Sequence, residues 1–499
     1  MKKGCQDLAT CGMGLDLQKE REMSLPYDAI IGLEVHAQLE THTKLFCGCA
    51  VEFGAQPNSR TCPVCLGMPG TLPVINEKAV EYALKMILAV GGTVHLHSEF
   101  ARKNYFYPDL PKGYQISQND KPIGTEGQVV LDDGFTIRIN RIHLEEDAGK
   151  SLHPESGESF SRIDLNRCGT PLIEIVTEPD LRTAEQAYEY LTKIRQLVRY
   201  LGICSGDMEK GALRCDANIS LRPKGEDTLG VKTELKNLNS IRAVKKALEF
   251  EIIRQTNLLE SGQNVIQDTR LWDESTLQTE SMRVKEEADD YRYFPEPDLP
   301  PLVLTNELVK SVRKSLPELP EAKKNRLITE YKISEYDAGV ISKDTALAAY
   351  FEVLANETGD SALSANWLMN IVLQVIGELS LEVDAFPIPP WQLAELLTLQ
   401  KNGTISAKNA RDIFAEMLDT GRSPSVIMEA RGLTQVSDER EIEGIIDDIL
   451  AARGDMVEAY RQGRVQLFDF FVGQVMKATK GRANPAVVTQ VLKDKLNGR

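Results

Sequence analysis

The sequence predicts an α+β fold, a mixed or antiparallel sheet domain followed by helical domains, and three observations carry that prediction. Runs in which apolar and polar residues alternate with period two recur from about residue 27 to 294, the mark of half-buried strands. These runs and the intervening helices follow in irregular order rather than as a βαβ series, so a doubly wound parallel sheet is not expected. Beyond a proline-rich break near residue 294 the β-branched alternation stops and apolar residues recur at helical spacing. At 499 residues the chain is too long for one core.

Gly32-Leu33-Glu34-Val35-His36-Ala37-Gln38-Leu39 opens the first part, and its alternation sends Glu34 and His36 to the same side. Next come Cys47-Gly48-Cys49 and Cys62-Pro63-Val64-Cys65, two tight pairs separated by residues 50–61. Such spacing reads as a closed tetrahedral zinc shell before it reads as disulfides, reduced surface thiols being the alternative. Cys5, Cys11, Cys168, Cys204 and Cys215 show no pairing pattern. Ile142-His143-Leu144-Glu145-Glu146-Asp147 stacks three acids at the end of a strand-like segment, and Pro171-Leu172-Ile173-Glu174-Ile175-Val176 sets one acid in an aliphatic run.

Thr183 with Gln186 forms a capping box before a helix carrying Leu191, Ile194, Val198 and Leu201. Leu213 to Arg222 alternates without a fault. Leu213, Cys215, Ala217, Ile219 and Leu221 face a core, while Arg214, Asp216, Asn218, Ser220 and Arg222 face the other way. Val231 to Lys236 repeats the pattern more weakly, and a helix follows Asn239-Ser240 to about Leu259.

Phe294-Pro295-Glu296-Pro297-Asp298-Leu299-Pro300-Pro301 is expected to break all regular structure, because prolines remove donors and fix the chain. Phe386-Pro387-Ile388-Pro389-Pro390 is a second break, followed by short helices from about Trp391 to Leu496, the last opened by Asn484-Pro485. The divisions read from these signals are 1–22, a disordered extension; 23–298, the sheet domain; 299–398, a helical domain; and 399–499, a helical tail. Met23 is a possible true start.

Composition limits the function classes. A net charge of −16, from 58 basic and 74 acidic residues, argues against a surface wrapped in nucleic acid but allows a local basic patch. Residues 461–499 supply one, with Lys477, Lys480 and Arg482 on a positive loop suited to phosphate, although a solvated terminal face has the same composition. No stretch reads as membrane-spanning; Ala365 to Leu379 is interrupted by Asn366, Asn370 and Gln374. The N-terminus lacks the apolar core of a secretory signal, so cytosol is expected. Ala148-Gly149-Lys150-Ser151 lacks the first glycine of a P-loop, and neither G-x-S-x-G nor H-E-x-x-H occurs. What remains is electrostatic chemistry. Carboxylates converging on a sheet repel one another unless a cation neutralises them, so the acids and His36 read as an oxygen-rich divalent metal site. The plainer readings are an exposed strand edge for Glu34 and His36, and a lysine-paired acid for Glu174. A two-metal hydrolase would use the same acids.

Several long motifs resemble one family. They are Arg102-Lys103-Asn104-Tyr105-Phe106-Tyr107-Pro108-Asp109, Gly113-Tyr114-Gln115-Ile116-Ser117-Gln118, His143 to Lys150, Leu165-Asn166-Arg167, Gly169 to Glu174, Leu235 to Ser240, and Asp289 to Asp298. Together they resemble the GatB family, the B subunit of the glutamyl-tRNA(Gln)/aspartyl-tRNA(Asn) amidotransferase, from about Met23 to the C-terminus. The resemblance implies a cradle-shaped catalytic domain, a helical linker and a tail related to YqeY that binds tRNA. It implies ATP-dependent amidation of the side-chain carboxylate on a misacylated tRNA: γ-phosphorylation, then displacement of phosphate by ammonia. A partner amidase, the glutaminase of the complex, would make the ammonia from glutamine, and a small third protein would join the two in a heterotrimer.

By motif match, Glu34, His36, Glu146 and Glu174 would hold magnesium. Alternation alone selects Glu145 with His143, and a bulge at the strand end would reverse the choice, so both acids stand, Glu146 first. Lys103 and Tyr105 are candidates for phosphate binding and base stacking, while Phe106 and Tyr107 are expected to pack. Arg214, Asp216 and Asn218 share a strand face and are expected to line the aminoacyl or phosphate pocket. Lys236 and Arg292 are expected to meet developing phosphate charge. Some members of the family lack the four cysteines, so zinc at Cys47, Cys49, Cys62 and Cys65 would hold shape only.

Overall fold

The computed structural model describes residues 26–152, 160–284, 291–431, 439–479, 483 and 485–496. The expected extension 1–22 lies outside these, as do Lys480, Arg482 and the proposed cap Asn484. The chain divides into two compact units, with the boundary between Leu319 and Pro320.

The first unit carries strands β1 (Tyr27–Gln38), β2 (Thr93–Val94), β3 (His97–Ser98), β4 (Ala101–Asn104), β5 (Tyr114–Ser117), β6 (Gly124–Val130), β7 (Thr136–Glu146) and β8 (Lys150–Leu152). They continue as β9 (Arg162–Asp164), β10 (Pro171–Thr177), β11 (Leu213–Pro223), β12 (Thr233–Lys236), β13 (Asp268–Asp273), β14 (Gln278–Val284), β15 (Phe294–Pro295) and β16 (Leu302–Val303). Its helices are α1 (Glu77–Ala89), α2 (Ala184–Tyr200), α3 (Ile241–Glu260) and α4 (Asn306–Ser315). The main sheet runs β14-β13-β12-β11-β1-β10-β7-β5-β4-β15, with β6 on β7 and β2 on β6. β12 and β13 pair in parallel, and β1 pairs antiparallel with both neighbours. The sheet is therefore mixed, as expected.

Alternation divides the sheet into two faces. Ile31, Leu33, Val35 and Ala37 of β1 are buried, as are Leu213, Cys215, Ala217 and Ile219 of β11. They share one core with apolar side chains of α1, α2 and α3. Helix starts follow local chemistry: Asn76 accepts from Lys78 N at 2.9 Å, Thr183 from Gln186 N at 3.1 Å and Ser240 from Ala243 N at 3.0 Å. The opposite face of the sheet carries the polar residues.

Two expectations need correction here. The run from Phe294 to Pro301 does not break all regular structure: Phe294–Pro295 pairs with Arg102 and Ala101 of β4. Glu296 beside it is buried and takes Arg102 Nε at 2.7 Å, so pairing to a charged strand edge outweighs the prolines. The chain then adds Leu304 and Val312 to the first core.

The second unit is helical: α5 (Pro320–Tyr331), α6 (Glu335–Ile341), α7 (Thr345–Thr358), α8 (Ser361–Trp367), a π-helical turn (Leu368–Val372) and α9 (Leu373–Leu379) come first. Then follow α10 (Pro390–Lys401), α11 (Ala407–Thr420), α12 (Pro424–Arg431), α13 (Glu439–Ala451), α14 (Gly454–Arg461), α15 (Leu467–Ala478) and α16 (Pro485–Leu496). One core gathers Phe351, Trp367, Leu393, Phe414 and Ile427. Another gathers Ile442, Phe471, Val488 and Leu492. The second correction concerns Ser361–Leu379, which by length and composition, with mean hydropathy 1.2, is apolar enough to cross a membrane. Its Ala365, Trp367, Leu368 and Val372 pack in the first of these cores, and Asn366, Asn370 and Gln374 are exposed.

Candidate functional site

The polar sheet face is built by register. His36 lies opposite Glu174 on β10 and Arg214 on β11, and Glu34 lies opposite Asp216. Glu174 in turn faces His143, and Glu145 faces Ser117 of β5. Most members are outward positions of strands whose inward neighbours belong to the core. Together with Lys103, Asn104 and Tyr105 they line a cavity of about 910 Å³.

At its floor, His36, Glu145 and Glu174 each offer a ligand atom within 4.8 Å of the others, an arrangement that can hold a metal ion. His36 Nε2 is 3.5 Å from both Glu145 Oε1 and Glu174 Oε2. His143 Nε2 lies 3.3 Å from Glu174 Oε2 and 3.9 Å from Glu145 Oε2, and its Nδ1 is buried without a hydrogen-bond partner. Burial opposes a charged His36, but Glu174 and Glu145 outweigh it and lift the imidazole to about 9. Burial and then the neighbouring Glu174 push Glu145 up, whereas the two imidazoles overcome burial and hold Glu174 well below the carboxylate range. Two acids this close are driven apart in proton affinity; a bound cation would relieve that repulsion directly.

Several of the cavity's cations already have partners. Arg214 Nη2 donates to Asp147 Oδ2 at 2.9 Å, and Gln38 Nε2 donates to the same oxygen at 2.8 Å. Lys236 Nζ meets Asp216 Oδ2 at 2.5 Å and Glu234 Oε1 at 3.0 Å. Lys103 has its ammonium 4.9 Å from the Tyr291 ring centre; burial weakens its charge, but Glu145 foremost among its neighbours restores it and raises the lysine above its ordinary value. Asn218 Nδ2 donates to Glu34 Oε1 at 2.9 Å, placing Glu34 beside the cluster rather than in it.

Two residues expected at the metal site or the chemistry lie elsewhere. Glu146 is turned to the other side of β7, because the β7–β10 register runs unbroken through Glu145↔Leu172 and Glu146↔Pro171 and its irregularity falls instead at Val176/Thr177. There it forms a buried ion pair with Lys112, accepts Ile116 N at 3.0 Å, and lines a second cavity of about 300 Å³ beside Cys47 and Cys65. Arg292 is exposed and is not among the residues lining the large cavity. Its φ is +43°, and Tyr291 and Tyr293 on either side line the cavity in its place. Phe106 and Tyr107 were expected to pack; they are 78% and 57% exposed, and Tyr107 lines the cavity. An aromatic run bounded by Pro108 turns out of the core instead of through it.

Sequence reasoning left His143, Glu234, Tyr291 and Tyr293 without a role in the cavity. Strand parity carried the signal for His143 and Glu234. The tyrosines follow β14 on irregular backbone, where periodicity is silent.

The sulfurs of Cys47, Cys49, Cys62 and Cys65 lie within 4.8 Å of one another and can hold a metal. Turns set them: Leu66 N donates to Cys62 O and Gly67 N to Val64 O. Gly67 has φ +64°, and a Cβ there would run into the Lys112 side chain at Cγ, so only glycine fits. A hydrogen bond from Cys47 outweighs burial and draws the Cys65 thiol down to about 4, aided by the buried ammonium of Lys44, 3.6 Å from its sulfur. Cys168 and Cys215 are buried and are not among the four clustered sulfurs, although the Cys168 thiol donates to Cys65 O at 3.3 Å. In the tail Lys477 falls at the end of α15.

Residues 29–310 match the GatB/GatE catalytic domain model and residues 349–496 match the GatB domain model. The chain is 52% identical over 476 residues to the B subunit of the aspartyl/glutamyl-tRNA(Asn/Gln) amidotransferase of Persephonella marina, covering 95% of this chain and all of that one. It is 53% identical over 478 residues to the same protein of Geobacter sulfurreducens, covering 95% and 100%. With that of Thermodesulfovibrio yellowstonii it shares 50% identity over 471 residues, covering 94% and 99%.

Proposed function

Because this chain belongs to the GatB family, one component of the tRNA-dependent amidotransferase, we propose that it performs ATP-dependent amidation of Glu-tRNA(Gln), Asp-tRNA(Asn) or both. The observation that carries the reading is the convergence of His36, Glu145 and Glu174 on the floor of a cavity whose walls also bear lysine, arginine and tyrosine.

In the first step a side-chain carboxylate oxygen of the aminoacyl group attacks the γ-phosphorus of ATP. The bond from γ-phosphorus to the bridging oxygen breaks, leaving ADP and an acyl phosphate. In the second step ammonia nitrogen attacks the acyl carbon, phosphate departs with the C–O electron pair, and a proton is lost to give the amide. Such chemistry asks the protein chiefly for alignment and charge neutralisation. His36, Glu145 and Glu174 would hold a magnesium ion, with Glu34 beside them; bound there, the ion supplies charge neutralisation for phosphate oxygens. Lys103 faces the same acids and is placed to meet the γ-phosphoryl group, with Tyr105 beside it for the base. Arg214 and Lys236, released in part from Asp147 and Asp216, would meet negative charge as it develops, and Asn218 orients Glu34. Four thiolates at Cys47, Cys49, Cys62 and Cys65 would hold a structural zinc, leaving no open position for chemistry.

Ammonia would come from the partner amidase, which hydrolyses glutamine, with a small third protein making up the heterotrimer, and the helical tail around Lys477 would contact tRNA phosphates. A chain that acts on charged tRNA with these partners works in the cytoplasm.

Amidation by the heterotrimer, followed with each misacylated tRNA with and without ATP, tests the proposal. Strict dependence on ATP is expected. Turnover of the ester or amide without ATP would identify a metal-dependent hydrolase instead.

A further inference from the structure

One wall of the large cavity is aromatic. Tyr107, Tyr105, Tyr291 and Tyr293 meet edge to face in an unbroken row, with ring centres 6.0, 6.2 and 6.1 Å apart. The row is assembled from two distant segments, and it draws on only 6% aromatic residues in the chain. Tyr107, at 57% exposure, contributes little to any core. Large rings lining a wet cavity are fitted to a flat partner, since ring faces gain most from stacking.

The backbone is held to present them. Arg292, between Tyr291 and Tyr293, adopts φ +43°, in the left-handed region that non-glycine side chains rarely occupy. Asn104 fastens that turn three times. Its backbone N donates to Tyr291 O at 2.9 Å, and its Nδ2 donates to Tyr291 O at 3.2 Å and to Arg292 O at 2.7 Å. Lys103, the preceding residue, joins wall to floor: its ammonium lies over the Tyr291 ring and is drawn by Glu145 and Glu174. A ligand with a flat base and an anionic group would meet the rings with one and the Lys103 ammonium with the other.

We propose that the row Tyr107–Tyr105–Tyr291–Tyr293 is the adenine-stacking subsite of the cavity and that Asn104 is the residue that positions it. The proposal rests on the amidotransferase reading above. Adenine can arrive from two sources, ATP or the 3′-terminal adenosine of tRNA, and each has its own control ligand.

The experiment uses the full chain, its Tyr291→Leu, Tyr291→Phe and Asn104→Ala variants, and four ligands with magnesium: ATP, inorganic tripolyphosphate, intact tRNA and tRNA lacking its 3′ adenosine. Tyr291→Leu should weaken the adenine-bearing ligand about tenfold, and Tyr291→Phe should restore it. Loss for ATP with unchanged tripolyphosphate binding assigns the wall to ATP; loss for intact tRNA with unchanged binding of the shortened tRNA assigns it to the tRNA end. Asn104→Ala should reproduce the loss, and combining it with Tyr291→Leu should add little, because both remove the same contact. Unchanged affinity for ATP and intact tRNA in Tyr291→Leu overturns the proposal. So does equal weakening of all four ligands, which would mark a general structural role. A native chain that binds neither ATP nor tRNA overturns the amidotransferase reading itself.

Discussion

Glu145 and Glu146 are adjacent in sequence and serve opposite sides of one strand. Glu145 joins His36 and Glu174, while Glu146 neutralises the buried ammonium of Lys112. Substitution should therefore separate them. Glu145→Gln removes a charged ligand atom and should weaken manganese binding, read by electron paramagnetic resonance, at least tenfold; Glu146→Gln should leave it within twofold. Glu146→Gln instead leaves Lys112 buried without its counter-charge, an effect of about 3 kcal/mol for a broken buried pair. Denaturant melts should find that loss in Glu146→Gln. If Glu146→Gln abolished ion binding and left stability unchanged, the assignment of the two acids would be reversed. The sequence contained this distinction, because parity along β7 pairs Glu145 with His143. Motif resemblance ordered the acids the other way, since a motif records which residues recur and not which side of the strand they face.

Elements were legible where one physical signal dominated. β1 and β11 follow strict alternation because one face is buried, and the capped start of α2 follows from Thr183. Thr183→Ala should lower the unfolding free energy by about 1 kcal/mol and leave the amidation rate unchanged, because α2 lies on the core face of the sheet. A fall in rate without a fall in stability would contradict that separation of faces. The turns at Cys47–Cys49 and Cys62–Cys65 were legible from spacing alone. Cys47→Ser or strong chelation should release zinc, measured by elemental analysis, and lower the melting temperature by several degrees; a metal-free native chain of unaltered stability would remove the zinc assignment. What spacing could not reach was β15 and the Tyr291–Tyr293 turn. Both owe their place to partners far away in sequence, Arg102 with Glu296 and Asn104 with the backbone of residues 291 and 292.

At the scale of the whole molecule, the proline signals mark changes of structure rather than ends of cores. The first core continues through Leu304 and Val312, and the chain divides after Leu319. In the helical unit, Ile405, Ile413, Phe414 and Met417 belong to the core built around Phe351 and Leu393, whereas the core formed by Ile442, Phe471 and Val488 is separate. Removing residues 439–499 should consequently spare the first helical core and reduce tRNA affinity about tenfold, with a shallower salt dependence as phosphate contacts are lost; unaltered tRNA affinity would make the tail purely structural. The mixed-sheet and helical classes were readable because each rests on periodicity. The cavity was not, since it depends on strand order across the sheet. In the proposed mechanism His36, Glu145 and Glu174 hold the cation that supports phosphoryl transfer to a tRNA-borne carboxylate. The most direct measurement is transfer of labelled γ-phosphate from ATP to misacylated tRNA by the assembled amidotransferase deprived of an ammonia source. Native protein should form labelled acyl phosphate and ADP together, and Glu174→Gln should reduce that transfer at least a hundredfold while tRNA affinity stays native. Transfer at the native rate in Glu174→Gln would contradict the account.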